Sequence, residues 1–169
     1  MKNLSSTLKL KDIYDFWIGI QDSIIYMASQ VKPEELTYTF DESLNPMGSE
    51  FIHLANAYNA WLEEIVKDGE PHPGRIKADN LTVEKLQGAL QQAITRMRKI
   101  LEKNTIEDRL KRFTGTDEEG PYDFTLEWIL WHLIEHDIHH RSHLRLQFKK
   151  LNKKIDNKIF YEATSYGRW

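Results

Sequence analysis

Residues 131–146 of this chain read WHLIEHDIHHRSHLRL, a stretch that holds five of its seven histidines. Leucine and isoleucine recur through it at helical spacing, and it contains neither glycine nor proline. This pattern is typical of an amphipathic α-helix with one buried face. We therefore predict one long helix, the fourth of the chain, that begins after a capping Thr125 and runs to about residue 151.

The spacing of histidines within this helix indicates a metal site. His132, His136 and His140 are four residues apart, which places neighbours on one face with their Cβ atoms about 5–6 Å apart. Two imidazoles one turn apart can bind a single ion at about 2.0–2.1 Å. On a helical wheel, His140 falls inside the apolar face and His136 at its edge, so this pair is favoured and His132 is the reserve ligand. The alternative is that these side chains pack in the core or lie on the surface.

Composition narrows the classes of function. The chain has 169 residues, of which 40% are apolar, as in a folded globular protein, and its formal charge of −3 is no signature of nucleic-acid binding. It contains no cysteine, so disulfides, thiolate metal ligands and a cysteine nucleophile are excluded. The HExxH motif of zinc proteases is also absent. Any metal must therefore be held by histidine, carboxylate or water.

Two observations concern the location of the protein. The opening residues, MKNLSSTLKLKD, lack the apolar run of a secretory signal. No window of the sequence approaches the ~18 apolar residues of a membrane span. We expect a cytoplasmic protein that binds neither membrane nor nucleic acid and whose partner is a small-molecule substrate.

Three further segments repeat apolar residues at helical spacing. They are residues 10–30, 46–68 and 83–103. Asn45 and Thr82 are the expected caps of the second and third helices, and Gly69 is expected to end the second. Residues 1–169 are thus predicted to form a single domain of the all-α class, a four-helix bundle with a long connection before the fourth helix.

The connection between the third and fourth helices, residues 105–124, is the longest irregular segment. Within it, we expect residues 109–114 to be extended and residues 116–121 to form a loop. Connections of this length often frame a functional site. The C-terminal tail carries three aromatic residues that we expect to pack on the body or on a partner, namely Tyr161, Tyr166 and Trp169.

His53, in the second predicted helix, is a candidate third ligand. Metal sites in helical bundles are built from side chains on facing helices, and His53 is the one histidine on a predicted helix other than the fourth. Ala57 and Ala60 are near it on the same side, where small residues either leave room for an ion and its water or allow close helix packing. His72 lies between two prolines and is expected to be exposed.

Two motifs resemble those of the DinB-like (damage-inducible, YfiT-type) superfamily. WHLIEHDIHHRSHL, residues 131–144, resembles its fourth-helix signature, in which histidines are separated by three residues and the last begins His-Arg-Gly-Gln. FIHLANAYNAWL, residues 51–62, resembles its second-helix motif. The resemblance covers nearly the whole chain and implies a four-helix bundle, frequent homodimers and one divalent metal ion (Zn, Ni or similar). Carried over position by position, the metal ligands are His53, His136 and His140.

The chain departs from this signature after His140. Residues 140–143 read HRSH, so a role tied to the glutamine of the superfamily cannot be carried over. His143 lies one turn from His140 and is a candidate fourth ligand, partner of a ligand, proton carrier or packing residue. Glu135 and Asp137 are expected to be solvated or to support a ligand rather than to act as a general base.

The resemblance also sets the functional hypotheses. Some members and relatives of the superfamily are thiol transferases that use bacillithiol, mycothiol or glutathione, or isomerise a thiol-linked substrate, and many are labelled metal-dependent hydrolases. Three histidines with open positions are typical of a catalytic metal site. We therefore expect a hydrolase, or a thiol S-transferase whose cosubstrate is a low-molecular-weight thiol. The alternatives are a non-enzymatic metal-binding or stress-induced bundle and a dimeric scaffold.

Overall fold

Helices make up most of the chain. The computed structural model describes residues 8–71, 74–156 and 159–160. Its helices are α1 (Leu10–Ile13), α2 (Asp15–Ser29), α3 (Met47–Ala60), α4 (Val83–Lys103) and α5 (Leu126–Lys150), and an antiparallel hairpin of β1 (Arg112–Asp117) and β2 (Gly120–Thr125) precedes α5. Short 3-10 turns occupy Pro33–Glu35 and Ile106–Leu110. None of the described helices is long and apolar enough to cross a membrane.

The four long helices pack around one core. α4 packs on α2 and α3, and α5 packs on the same two helices. The sequence of α4 explains its position, because its fully buried side chains share one face: Leu86, Leu90, Ile94, Met97 and Leu101. Burying each such side chain contributes about 1.5–3 kcal/mol. This arrangement confirms the predicted bundle and places α3 beside α5.

Two of the three predicted N-cap residues are confirmed, Thr82 and Thr125. The hydroxyls of Thr82 and Thr125 accept backbone N–H groups three residues further on, at 3.3 and 3.1 Å. α3 instead has Pro46 at its N-cap position. The predicted cap Asn45 was wrong, because its side-chain amide donates to the buried carboxylate of Glu50 at 3.3 Å.

The first predicted helix, residues 10–30, is divided in two at Tyr14. The backbone of Tyr14 leaves the helical region (φ −102°, ψ 27°), which separates α1 from α2. Its ring is buried and packs edge-on against Trp131 of α5, with the ring centroids 6.2 Å apart. Packing of this side chain into the core therefore accompanies the break.

The second predicted helix ends before the expected glycine. α3 continues as a π-helical turn, Trp61–Val66, and then closes with Lys67 in the left-handed conformation at φ 53°. The Asp68 N–H donates to the Leu62 carbonyl at 3.0 Å. This bond ends the helix without the help of Gly69.

The connection before α5 is more regular than predicted. The hairpin spans residues 112–125, so most of the predicted loop at 116–121 belongs to its strands. Phe124 stacks on Tyr122 at 5.6 Å and on Trp128 at 4.5 Å between ring centroids. These ring contacts attach the hairpin to the first turns of α5.

Some predictions concern residues outside the described part of the chain. His72 lies there. So do the aromatic tail residues, Tyr161, Tyr166 and Trp169.

Candidate metal centre

Three histidines from α3 and α5 meet at one point. Nε2 of His53 lies 2.9 Å from Nε2 of His136. The ring of His140 lies 4.6 Å from that of His53 and 4.3 Å from that of His136, between centroids. One ring nitrogen of each residue lies within 4.8 Å of the others. The packing of α3 on α5 thus brings together the three residues predicted as ligands, called here the histidine trio.

The geometry of the trio fits a metal ion. Two nitrogens that bind one ion at 2.0–2.1 Å are separated by about 2.9–3.4 Å, depending on whether the angle at the ion is square or tetrahedral. The 2.9 Å between Nε2 of His53 and Nε2 of His136 matches the lower end of this range. Imidazole donors suit zinc, nickel, copper and iron.

The electrostatics of the site favour uncharged rings of His53 and His136, which can bind a cation. Burial, followed by the charges of His140 and His53, lowers the pKa of His136 to about 3. Burial and then His140 also lower the pKa of His53, with an opposing effect of Glu50 and a smaller lowering by Arg75. Because a histidine must lose its proton to bind a metal, these shifts keep the nitrogens of His53 and His136 available near neutral pH.

Glu50 is a site residue that the sequence analysis missed. It is 2% exposed, and its Oε1 accepts hydrogen bonds from Nδ1 of His140 at 2.7 Å and Nδ1 of His143 at 3.1 Å. Burial opposes ionisation of this carboxyl group, but the hydrogen bond from His140 lowers the pKa of Glu50 overall. Since Nδ1 of His140 donates to Glu50, Nε2 of His140 is the nitrogen left to face the rest of the trio.

A sequence signal for Glu50 was available. Glu50 precedes His53 by three residues, and this Glu-x-x-His spacing places both side chains on one face of a helix. Together with His140 and His143, Glu50 also forms a second group whose ligand atoms lie within 4.8 Å of one another. His143 therefore contacts the carboxylate that supports the trio.

The other described histidines of α5 have different surroundings. His132 stacks on Trp128 with centroids 5.2 Å apart and planes 5° apart, and its ring lies 6.3 Å from that of His136. His139 is exposed and lies edge-on to neighbouring histidine rings. The reserve ligand His132 is thus placed among aromatic rings instead of in the trio.

Asp137 corrects an expectation from the sequence. It is fully buried, and its Oδ2 accepts hydrogen bonds from Nε1 of Trp17 at 2.7 Å and from the hydroxyl of Tyr58. Burial raises its pKa to about 7, against the opposing effect of these hydrogen bonds. Successive residues of a helix point about 100° apart, so Asp137 faces the core while His136 faces the trio. Glu135 is exposed, as expected.

A cavity of about 300 Å³ opens beside His53. It is lined by His53, Asn56, Ala57, Asn59, Ala60, Glu64 and Arg75. The small side chains of Ala57 and Ala60 form part of its wall, as expected for residues that leave room beside an ion. A small molecule in this cavity can therefore reach His53 from the side of α3.

The fold and the cluster define a helical-bundle protein with a candidate metal centre. The sequence model of the DinB superfamily matches residues 21–144. This range includes all of α3 and α4, most of α5, and the whole histidine trio. The chain belongs to the DinB superfamily.

Solved structures agree in fold. A DinB-like protein from Bacillus cereus ATCC 10987 is similar with a TM-score of 0.66 and 17% identity, over 83% of this chain and 91% of that one. A DinB-like protein from Bacillus subtilis is similar with a TM-score of 0.64 and 17% identity, over 85% and 93% of the two chains. A comparison with curated proteins gives no match. At 17% identity, these similarities show a shared fold and nothing more.

Proposed function

We propose that the histidine trio holds one divalent metal ion, such as Zn or Ni, and that the chain is a metal-dependent thiol S-transferase. The observation that carries this proposal is the meeting of three imidazoles beside an open cavity. When bound, such an ion supplies a positive charge that favours the ionised form of a thiol or of water. Because the chain has no cysteine, the thiol is a cosubstrate.

The surroundings of the trio favour thiol transfer over hydrolysis. Attack by water is helped by a general base within hydrogen-bond reach, and the carboxylate of Glu50 is already engaged. Its Oε1 accepts from His140 and His143, and its Oε2 accepts from Asn45. A thiol, with a pKa of about 8.5, ionises far more easily than water and needs no such base. Hydrolysis is the second candidate, because Glu64 lines the same cavity and carries a carboxylate.

The residues of the chain have separate roles in this proposal. The trio would hold the ion, and Glu50 fixes the ring of His140 through the hydrogen bond to Nδ1, which leaves Nε2 of His140 to bind the ion. Ala57 and Ala60 leave the space through which the thiol enters. In the reaction, the thiol loses its proton to solvent, its sulfur forms a bond to the electrophilic carbon, and the leaving group departs with its electron pair.

Metal content tests the site. Untagged protein purified without chelator is analysed by plasma mass spectrometry, and we expect about one divalent ion per chain. His53→Ala should lose the ion, because His53 is the one proposed ligand that lies on α3. His132→Ala is the matched control, one turn before His136 on α5, and should keep the ion. Unchanged metal content in His53→Ala would contradict a site shared by two helices.

Turnover tests the reaction. Conjugation of monochlorobimane with bacillithiol, glutathione or cysteine should proceed faster with metal-loaded protein than in buffer, and the rate should vanish in His53→Ala. Hydrolysis of an ester such as p-nitrophenyl acetate, without thiol transfer, would support the second candidate. Bound metal without turnover in either assay would favour a metal-binding bundle. No uptake of Zn, Ni or Mn would favour a dimeric scaffold.

We also propose that the protein is a cytoplasmic homodimer. In support, α5 exposes four large apolar side chains on one side: Trp128 at 47%, Trp131 at 54%, Ile138 at 42% and Leu146 at 48%. Exposed apolar patches often mark protein–protein contacts. Light scattering should give the mass of a dimer, and Ile138→Glu should shift it toward that of a monomer.

A further inference from the structure

The cavity beside His53 presents a guanidinium group to a ligand. We infer that Arg75 binds a carboxylate of the small-molecule substrate or cosubstrate, so that the cavity is an anion subsite next to the histidine trio. This inference rests on the proposed function, which it extends by naming the chemical class of the ligand. Under thiol transfer, the ligand is a thiol that also carries a carboxylate.

The backbone around Arg75 is held against α3. Asn56 donates from Nδ2 to the carbonyl of Ile76 at 2.8 Å, and its Oδ1 accepts the N–H of Ile76 at 3.0 Å. Asn56 lies about one turn after His53, and Ile76 directly follows Arg75 in the chain. This pair of bonds, together with the partly buried side chain of Ile76, fixes Arg75 at the wall that it shares with His53.

The guanidinium of Arg75 is available to a ligand. It is exposed, and within the described part of the chain no carboxylate forms an ion pair with it. Arg96 differs, because its Nη2 lies 2.8 and 3.0 Å from the two carboxylate oxygens of Asp68. Arg112 pairs with Asp123 on the hairpin. A planar guanidinium matches the two oxygens of a carboxylate. At Arg75, the carboxylate of a ligand can take the place that Asp68 has at Arg96.

The charges and the size of the cavity favour a small carboxylate over a phosphate. Glu64 lines the same cavity and lies eleven residues beyond His53 in the chain. With one positive and one negative side chain in the lining, Glu64 repels a phosphate dianion more strongly than a carboxylate monoanion, whose single charge Arg75 can neutralise. A volume of about 300 Å³ is at the small end of ligand pockets.

The test compares a thiol acid with its neutral analogue. The probes are 3-mercaptopropionate and 3-mercaptopropanamide, titrated into zinc-loaded protein by calorimetry. The wild type should bind the acid about tenfold more tightly than the amide, the effect expected of a charge-assisted hydrogen-bonded pair. Arg75→Gln should abolish this preference. Lys77→Gln, which removes an exposed charge two residues further on, is the matched control and should retain it.

A second readout does not depend on metal. The side-chain Nε–H signal of Arg75 in a ¹H–¹⁵N spectrum, assigned by its absence in Arg75→Gln, should shift with the acid and not with the amide. If the protein takes up no metal, the proposed function fails. The shift of the Arg75 signal in metal-free protein still shows whether Arg75 binds the carboxylate.

Three results would overturn the inference. They are equal affinity of the wild type for acid and amide, loss of the preference in Lys77→Gln as well as in Arg75→Gln, and tighter binding of inorganic phosphate than of the acid. The last result would assign the subsite to phosphates.

Discussion

The carboxylate of Glu50 on α3 lies 2.7 Å from Nδ1 of His140 on α5, and this hydrogen bond joins the two helices at the candidate metal centre. The bond determines which nitrogen of His140 faces the trio. Carboxylate partners of this kind orient histidine ligands and increase their basicity. Glu50 therefore supports the proposed site by holding one of its ligands in place.

Replacing Glu50 by glutamine should weaken metal binding. Glu50→Gln keeps the shape of the side chain but removes the charge that fixes and polarises His140, so we expect zinc affinity to fall about 10–100-fold. Competition with a chromophoric chelator measures this change. Glu135→Gln, at an exposed position of the same helix as His140, is the control. Equal zinc affinity of Glu50→Gln and the wild type would show that Glu50 does not support the site.

The stability of the metal-free protein should depend on pH through His136. Burial, aided by His140 and His53, lowers the pKa of His136 from its ordinary 6.5 to about 3. As the pH falls below 6.5, His136 therefore becomes protonated in the unfolded chain but stays neutral in the folded chain until near pH 3. The free energy of unfolding decreases as a result. His136→Gln lacks this proton uptake, so it should lose less stability than the wild type between about pH 7 and pH 4.

Urea unfolding at a series of pH values checks this prediction. Other groups titrate in the same range, and so the informative quantity is the difference between His136→Gln and the wild type. Ser142→Ala, at an exposed position of α5 without a titratable side chain, should follow the wild type. Parallel curves for all three proteins would show that His136 is not responsible for the pH dependence.

The hydroxyl of Tyr58 should stabilise the core near the trio. It donates to the buried carboxylate of Asp137 and accepts from Nε2 of Gln21 at 3.1 Å. Tyr58→Phe leaves both partners buried without this bond, so we expect a loss of about 1–3 kcal/mol in the free energy of unfolding. Tyr26→Phe is the control, since the described residues provide no hydrogen bond to the Tyr26 hydroxyl. Urea denaturation that ranks the two variants equally would contradict this role.

Gly48 should be required at the start of α3. A Cβ atom at this position would lie 2.9 Å from the Leu36 carbonyl oxygen and 3.0 Å from Cδ2 of Leu81, and the Gly48 N–H donates to that same carbonyl at 2.9 Å. Gly48→Ala should therefore cost about 1–3 kcal/mol. Gly88→Ala is the matched substitution on α4, where no atom lies within 4 Å of the added carbon, and it should stabilise by about 0.5–1 kcal/mol. Thermal unfolding that shifts both variants in the same direction would contradict this difference.

Several features of the fold were predictable because they depend on local geometry. The apolar periodicity of residues 83–103 and the cap Thr82 define α4 with the bounds that the structure has. Residues 112–125, in contrast, form a hairpin that was not predicted from the sequence. Their strands pair with each other and the ring of Phe124 stacks on Trp128, contacts that no local pattern of residues 105–124 specifies.

The sequence alone determined that His136 and His140 share a face, because four residues make about one turn of any α-helix. It also left His53 as the candidate from a second helix. Only the tertiary structure decided which side chains surround these histidines. Glu50 contacts His140 across ninety positions of sequence, and Arg75 reaches the cavity because Asn56 holds Ile76. Contacts between distant segments depend on how helices pack, and packing is a property of the whole core rather than of any one segment.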